Sequence, residues 1–199
     1  TFVTQKTLAV VSENIVYINE DNHSQHITHL DLARSSDCIL IAPASANTIS
    51  KLSLGLADNL LTNTLLASKC PVLLAPAMHS EMIENPVIQE HLQRLSSRGV
   101  TIIPSTSGQL ACGDEGTGRL AELDTIVLAT ERAMRSTNIF SDLKIMISAG
   151  GTKEMIDPVR CITNLSTGSL GQSLAQQAFL LGAQVTLVTT SSLDQDTPY

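Results

Sequence analysis

The sequence predicts an α/β chain in which parallel strands carry helices on both faces. Short, continuous apolar runs at 38–42 and 71–75 have the length and composition of strands buried on both sides. Amphipathic stretches of helical length lie between such runs, the rhythm of βαβ crossovers. Hydrophobic residues make up 43% of 199, enough to fill a sizeable core.

Taken in order, residues 38–42 form a strand that Pro43 is expected to end. Ser45 is a good N-cap for a helix over 47–54, because its hydroxyl accepts from unpaired backbone N–H groups. Gly55 breaks that helix and 57–68 restarts it. A second strand covers 71–75, an amphipathic helix closed by Gly99 covers 84–98, and a third strand covers 100–103. A closing helix occupies 123–134. The polar segment 135–143 reads as a linker. A new unit then opens with strand 144–148, a Gly150-Gly151 turn, a long loop, helix 169–181 with Gly182 as C-cap, and strand 184–189. The expected organisation is one domain over 1–134, a linker over 135–143 and the beginning of a second α/β domain over 144–199. The chain starts at Thr1 without Met and its last residues look like an interrupted loop, so a piece of a longer protein is expected.

Composition narrows the function. A net charge of −7 without any Lys/Arg run argues against nucleic acid and anionic membranes as partners. The apolar runs fall far short of the roughly 20 residues that span a bilayer, and no secretory signal opens the chain. Cys38, Cys70, Cys112 and Cys161 form no Cys-x-x-Cys pair, so neither a zinc site nor a disulfide framework is expected and a cytoplasmic location fits. Trp is absent and aromatics are 3%, so a flat cofactor would be held by aliphatic and polar groups.

Two words carry chemistry that core packing does not ask for. In the first, His79 and Met82 follow Pro76-Ala77-Met78 at i and i+3, sharing a face of a helical turn at a strand end. Core filling and ligand contact both remain open for the methionines. The second, residues 108–120, places the Cys112 thiol among four glycines. Each glycine costs roughly 0.5–1 kcal/mol relative to Ala, which a mobile flap over a ligand justifies better than a packed turn. Arg119 could stabilise a thiolate there. Pro43-Ala44-Ser45-Ala46-Asn47 marks a strand-to-helix junction, where α/β sheets bind ligands, though a ligand-free capped helix explains it equally. His23, His26 and His29 share one segment. The first two read as solvated, and His29 precedes a patterned stretch where an imidazole suits a general base. Gly150-Gly151-Thr152 after a strand could cradle phosphate, but it is neither a Walker A loop nor a dinucleotide fingerprint.

Together these words resemble the flavin-dependent cysteine decarboxylase family, in the form found in bifunctional phosphopantothenoylcysteine decarboxylase/phosphopantothenate–cysteine ligases of coenzyme A biosynthesis. The resemblance rests on Phe2-Val3-Thr4, the His29 segment, Pro43-Ala44-Ser45-Ala46-Asn47, Ala57-Asp58-Asn59-Leu60, Pro76-Ala77-Met78 and Ala111-Cys112-Gly113-Asp114. Beyond the linker, Gly150-Gly151-Thr152-Lys153-Glu154, Ile156-Asp157-Pro158-Val159-Arg160 and Asn164-Leu165-Ser166-Thr167-Gly168 look like the opening of the ligase half. It implies a flavodoxin-like domain followed by the start of a Rossmann-like one. It also implies a cytoplasmic enzyme that uses FMN to convert 4′-phosphopantothenoylcysteine to 4′-phosphopantetheine, with CTP and Mg²⁺ serving the ligase half, and a trimer-based homo-oligomer. By the same resemblance His29 is the base for oxidation and Cys112 the proton donor for reduction. Thr4, Ser45 and Asn47 hold the flavin, Asn59, Met78, His79 and Met82 line the substrate pocket, and Arg160 and Asn164 handle the phosphopantothenate carboxylate and its acyl-cytidylate.

The chain departs from the family pattern in carrying His79 where Asn is common and Ser169 where Lys is frequent. The stretch that holds the flavin phosphate and the one that binds CTP would lie outside residues 1–199. Two other readings compete. One is a peptide cysteine decarboxylase, against which the motifs after Leu143 speak; the other is an inactive flavin-binding regulatory subunit, against which the retention of both His29 and Cys112 speaks.

Overall fold

A computed structural model of the chain describes residues 3–18, 28–109, 113, 115–135 and 139–190. Helix α1 (Gln5–Ser12) is capped by Thr4, whose hydroxyl accepts from the Thr7 N–H at 3.2 Å, and none of its residues is buried. Helix α2 (Thr28–Ser35) leads into β1 (Ile39–Ala44). There follow α3 (Ala46–Leu54), α4 (Leu60–Ala67), β2 (Val72–Pro76), α5 (Ser80–Ile83), α6 (Pro86–Ser97) and β3 (Thr101–Ile102). The three strands pair in parallel in the order β1-β2-β3.

Strand β2 is central, and its apolar run explains why. Leu74 packs with Ile41, Ala44, Ile49 and Leu95 on the side of α3 and α6. Leu73 and Ala75 point the other way, to Ile103, Ala121 and Ile126, the last on α7 (Leu123–Met134). Helices therefore cover both faces, as the continuous hydrophobic strand demands. Each fully buried Leu contributes about 1.5–3 kcal/mol by leaving water.

Several expected boundaries moved. Pro43 does not end β1: the strand passes through it to Ala44, which pairs with Pro76 after a register shift beyond Ile41. Asn59 is not inside a helix over 57–68 but is the N-cap of α4, where its side chain and Thr62 form a capping box. The helix expected over 84–98 is α6, which starts at Pro86 because Asn85 caps it, and the short α5 precedes it. The glycine-rich word, read as a flap, has strands for arms: β4 (Thr106–Gln109) and β5 (Glu115–Arg119) form an antiparallel pair.

After α7 the chain forms a second small unit. Strand β6 (Lys144–Ala149) pairs in parallel with β9 (Gln184–Thr189), and α8 (Ser169–Leu180) packs across both. The loop expected between them contains a hairpin of β7 (Lys153–Met155) and β8 (Cys161–Thr163). Among the described residues, no helix is long and apolar enough to cross a membrane.

Candidate active site

The site is assembled where β1 and β2 end. The Ala77 N–H donates to the Ala44 carbonyl at 3.1 Å, so the chain leaving β2 stays beside the junction that starts α3. At that junction Ser45 accepts from the Thr48 N–H at 3.3 Å and shares a hydrogen bond with the Thr48 hydroxyl. Asn47 is exposed on the first turn of α3. One residue past Ala77, the Met78 N–H donates to the Gly118 carbonyl at 2.9 Å. Three segments thus converge: the Ser45–Asn47 turn, the Met78–His79 turn and strand β5.

Strand β5 can come this close because it lacks side chains on the facing side. Gly116 and Gly118 are two apart and so share a face. A Cβ on Gly118 would run into the Met78 carbonyl oxygen, and one on Gly116 into the Ser80 hydroxyl. Gly118 also has φ +106°, a conformation in which other residues are strained. The glycines had been read as freedom of movement, whereas these two serve close approach; their alternate spacing was the available signal.

His79 caps α5, its Nδ1 accepting from the Glu81 N–H at 3.3 Å. With Nδ1 as acceptor, a neutral ring carries its proton on Nε2. Met78 is half-buried and packs against the Ile83 and Ile88 cluster as well as the main core, so much of its side chain is structural. Met82, one turn on, is 47% exposed. The Met82 N–H donates to the His79 carbonyl at 2.9 Å, which gives the expected shared turn. Arg119 is paired with Glu122 at 2.9 Å. Cys112 lies outside the described residues, in the connection between β4 and β5.

His29 and Asn59 belong to a second group. His29 is half-buried on α2, which packs on α4, and Asn59 caps α4. The Asn59 side chain accepts from the Thr62 N–H at 3.0 Å and donates to Asp58 at 3.1 Å. Asp58 in turn holds Lys51 at 2.6 Å, and that bond lowers its carboxyl pKa.

In the second unit, the carboxyl ends of β6 and β9 and the start of α8 enclose a cavity of about 570 Å³ lined by Gly150, Gly151, Thr167 and Gly168 among others. Asn164 lies against this loop, since a Cβ on Gly151 would meet its side-chain oxygen. Arg160 stands elsewhere, on the β7–β8 turn with 74% of its side chain exposed, bonded through Nε to Asp157 at 2.6 Å.

Comparison with known proteins assigns both units. Residues 1–135 match the sequence model of the family described as Flavoprotein. The chain belongs to the flavoprotein family. Residues 140–198 of this flavoprotein match the DNA/pantothenate metabolism flavoprotein C-terminal domain. It is 41% identical to the coenzyme A biosynthesis bifunctional protein CoaBC of Bacillus subtilis, over 98% of this chain and 49% of that protein. It is 42% identical to a cysteine/cysteine sulfinic acid decarboxylase of an unknown prokaryotic organism, over 94% of this chain and 54% of that one. The chain therefore spans about half the length of the curated relatives it matches. Among solved structures, the FMN-dependent cysteine decarboxylase SpaF aligns with a TM-score of 0.54 and 26% identity, covering 66% of this chain and 72% of the other.

Proposed function

We propose that the complete protein decarboxylates 4′-phosphopantothenoylcysteine to 4′-phosphopantetheine with FMN. Residues 144–199 would begin a fused ligase that joins cysteine to 4′-phosphopantothenate using CTP and Mg²⁺. The observation that carries the reading is the convergence of the Ser45–Asn47 turn, the Met78–His79 turn and strand β5 at the ends of β1 and β2. The polar Ser45, Asn47 and Thr48 at one strand end and the half-buried Met78 and His79 at the other suit a flat cofactor beside a small thiol substrate. Ser45 and Asn47 would hold the flavin, with Thr4 beside them, and the bound flavin supplies reversible two-electron chemistry at the substrate Cβ–S unit.

The residues divide the work in two. His29 removes the proton of the substrate thiol as the Cβ loses hydride and the carbon–sulfur bond becomes a thiocarbonyl. The adjacent carboxylate then leaves as carbon dioxide, its electron pair passing into that thiocarbonyl to give an enethiolate. In the second half the hydride returns to the same carbon and Cys112 supplies a proton to its neighbour, so the net change is loss of carbon dioxide and gain of one proton. His79 would donate Nε2–H to the substrate carboxylate, with Asn59, Met78 and Met82 around it. In the ligase half Asn164 and Arg160 would meet the phosphopantothenate carboxylate and its acyl-cytidylate, Arg160 through the terminal N–H groups that its Nε bond to Asp157 does not use. A trimer-based homo-oligomer would complete the flavin site.

The full-length protein with FMN should release carbon dioxide from phosphopantothenoylcysteine. In air, with dioxygen reoxidising the flavin, Cys112→Ser should release it too but accumulate the oxidised, decarboxylated product, read by mass spectrometry. Absence of carbon dioxide from the wild type, or fully reduced product at the normal rate from Cys112→Ser, would overturn the proposal. The likeness to a cysteine/cysteine sulfinic acid decarboxylase and to SpaF favours a second reading, a decarboxylase acting on cysteine in another carrier. Equal turnover of a C-terminal cysteine peptide would select it.

A further inference from the structure

The hold of α5 on strand β5 does more than the Met78 bond alone requires. The Ser80 hydroxyl donates to the Thr117 carbonyl at 2.7 Å, and the Thr117 hydroxyl donates to the Glu84 carboxylate at 2.8 Å. With Met78 N–H on the Gly118 carbonyl, three bonds tie Thr117 and Gly118 of β5 to the stretch from Met78 to Glu84, which contains His79. Each joins positions more than thirty apart in sequence, so none is a by-product of local helix or strand formation. Gly116 is shaped to this contact, because any side chain there would displace the Ser80 hydroxyl.

We infer that Ser80 and Glu84 are positioning residues for the reductive half of the reaction: they fix where β5 lies against the Met78–His79 turn. This inference rests on the functional reading above. The residue that serves only the second half, Cys112, is joined to the fold through β4 and β5. The base of the first half, His29, is carried by α2 against α4. Loosening β5 should therefore impair reduction and spare oxidation. Small misplacements of a reacting group cost rate steeply, on the order of a hundredfold for 1 Å, so loss of one anchoring bond is expected to be plainly visible.

The test uses full-length, FMN-loaded protein in air, where dioxygen reoxidises any flavin that keeps its hydride, and measures carbon dioxide release, KM and the ratio of oxidised to reduced decarboxylated product. Ser80→Ala should raise that ratio about tenfold while carbon dioxide release and KM stay within about twofold of wild type. Glu84→Ala should raise it about threefold and Glu84→Gln should restore it, since an amide oxygen still accepts from Thr117. A wild-type ratio in Ser80→Ala, or an equal fall in both halves of the reaction, would refute the inference. Hydrogen exchange separates this from failure of the functional reading. Should the wild type release no carbon dioxide, the Met78 amide must still exchange about tenfold faster in Ser80→Ala than in wild type, and unchanged exchange would refute the anchoring.

Discussion

At position 79 one imidazole does the work that an asparagine would do with its two ends. Nδ1 caps α5 by accepting from the Glu81 N–H, and a neutral ring then carries its proton on Nε2. An asparagine in the same place would accept through its carbonyl and donate through its amide, and it is among the best N-caps. The replacement of the family's common Asn by His79 is therefore chemically mild. His79→Asn should shift the urea midpoint little, whereas His79→Ala should cost about 1 kcal/mol through loss of the cap. Equal destabilisation by both variants would show that the ring is held for packing rather than for its hydrogen bond. Gly118 illustrates the opposite kind of residue, fixed by what it lacks, since both its φ of +106° and the nearby Met78 carbonyl exclude a side chain.

Elements with strong periodicity were legible in the sequence, and those stabilised by distant partners were not. The helix expected over 123–134 and the strand over 184–189 coincide with α7 and β9, because apolar spacing alone specifies them. Strand β2 was equally plain from its unbroken apolar run. Strands β4 and β5 read Thr-Ser-Gly-Gln and Glu-Gly-Thr-Gly-Arg, which carry no apolar alternation; β5 is held by Met78 and Ser80, about forty residues away. The site followed the same division. The strand-end turns at Ser45 and Met78 could be read from punctuation, while the roles of His29 and Cys112 came from resemblance. The β7–β8 turn escaped notice for a further reason, its dependence on one carboxylate. Asp157 accepts from the Val159 N–H at 2.9 Å and from the Arg160 N–H at 2.7 Å, and these bonds with the Arg160 side chain hold its pKa below the ordinary 3.8. A carboxyl lowered in the folded turn favours that turn at pH above 3.8 and loses the contribution as pH falls through the lower folded value. The Val159 and Arg160 amide resonances should shift together over that acidic range and stay flat in Asp157→Asn. Titration persisting in the variant would assign the effect to another group.

The two units meet through α7, which closes the first sheet and also completes the core of the second. Ile126 packs on the β2 side, while Leu128 is buried with Phe179 and Leu180 of α8 in a cluster against which Val185 of β9 packs. The Arg132 guanidinium lies 4.2 Å from the centre of the Phe179 ring and donates to the Gly182 and Ala183 carbonyls at 2.7 and 3.3 Å. Those carbonyls follow the C-terminal turn of α8, where a cation is favoured by the helix dipole and by the unpaired oxygens. Burial lowers the Arg132 pKa, so these contacts must offset a loss of hydration. A boundary drawn at residue 134 therefore cuts beside a helix that serves both sides. Arg132→Ala should remove about 1–3 kcal/mol from the second unit alone, given the usual worth of a cation over an aromatic ring and of charged hydrogen bonds. In hydrogen exchange, the β9 amides should then open at least about fivefold faster while β1 and β2 keep their protection, since about 1.4 kcal/mol corresponds to a factor of ten. Arg132→Lys should recover only part of this, because a lysine cannot bridge two carbonyls with a planar fork while stacking on Phe179. Uniform acceleration across both sheets would instead mean that the units unfold as one, and unchanged β9 protection would mean that Leu128 and Phe179 hold the interface without the arginine.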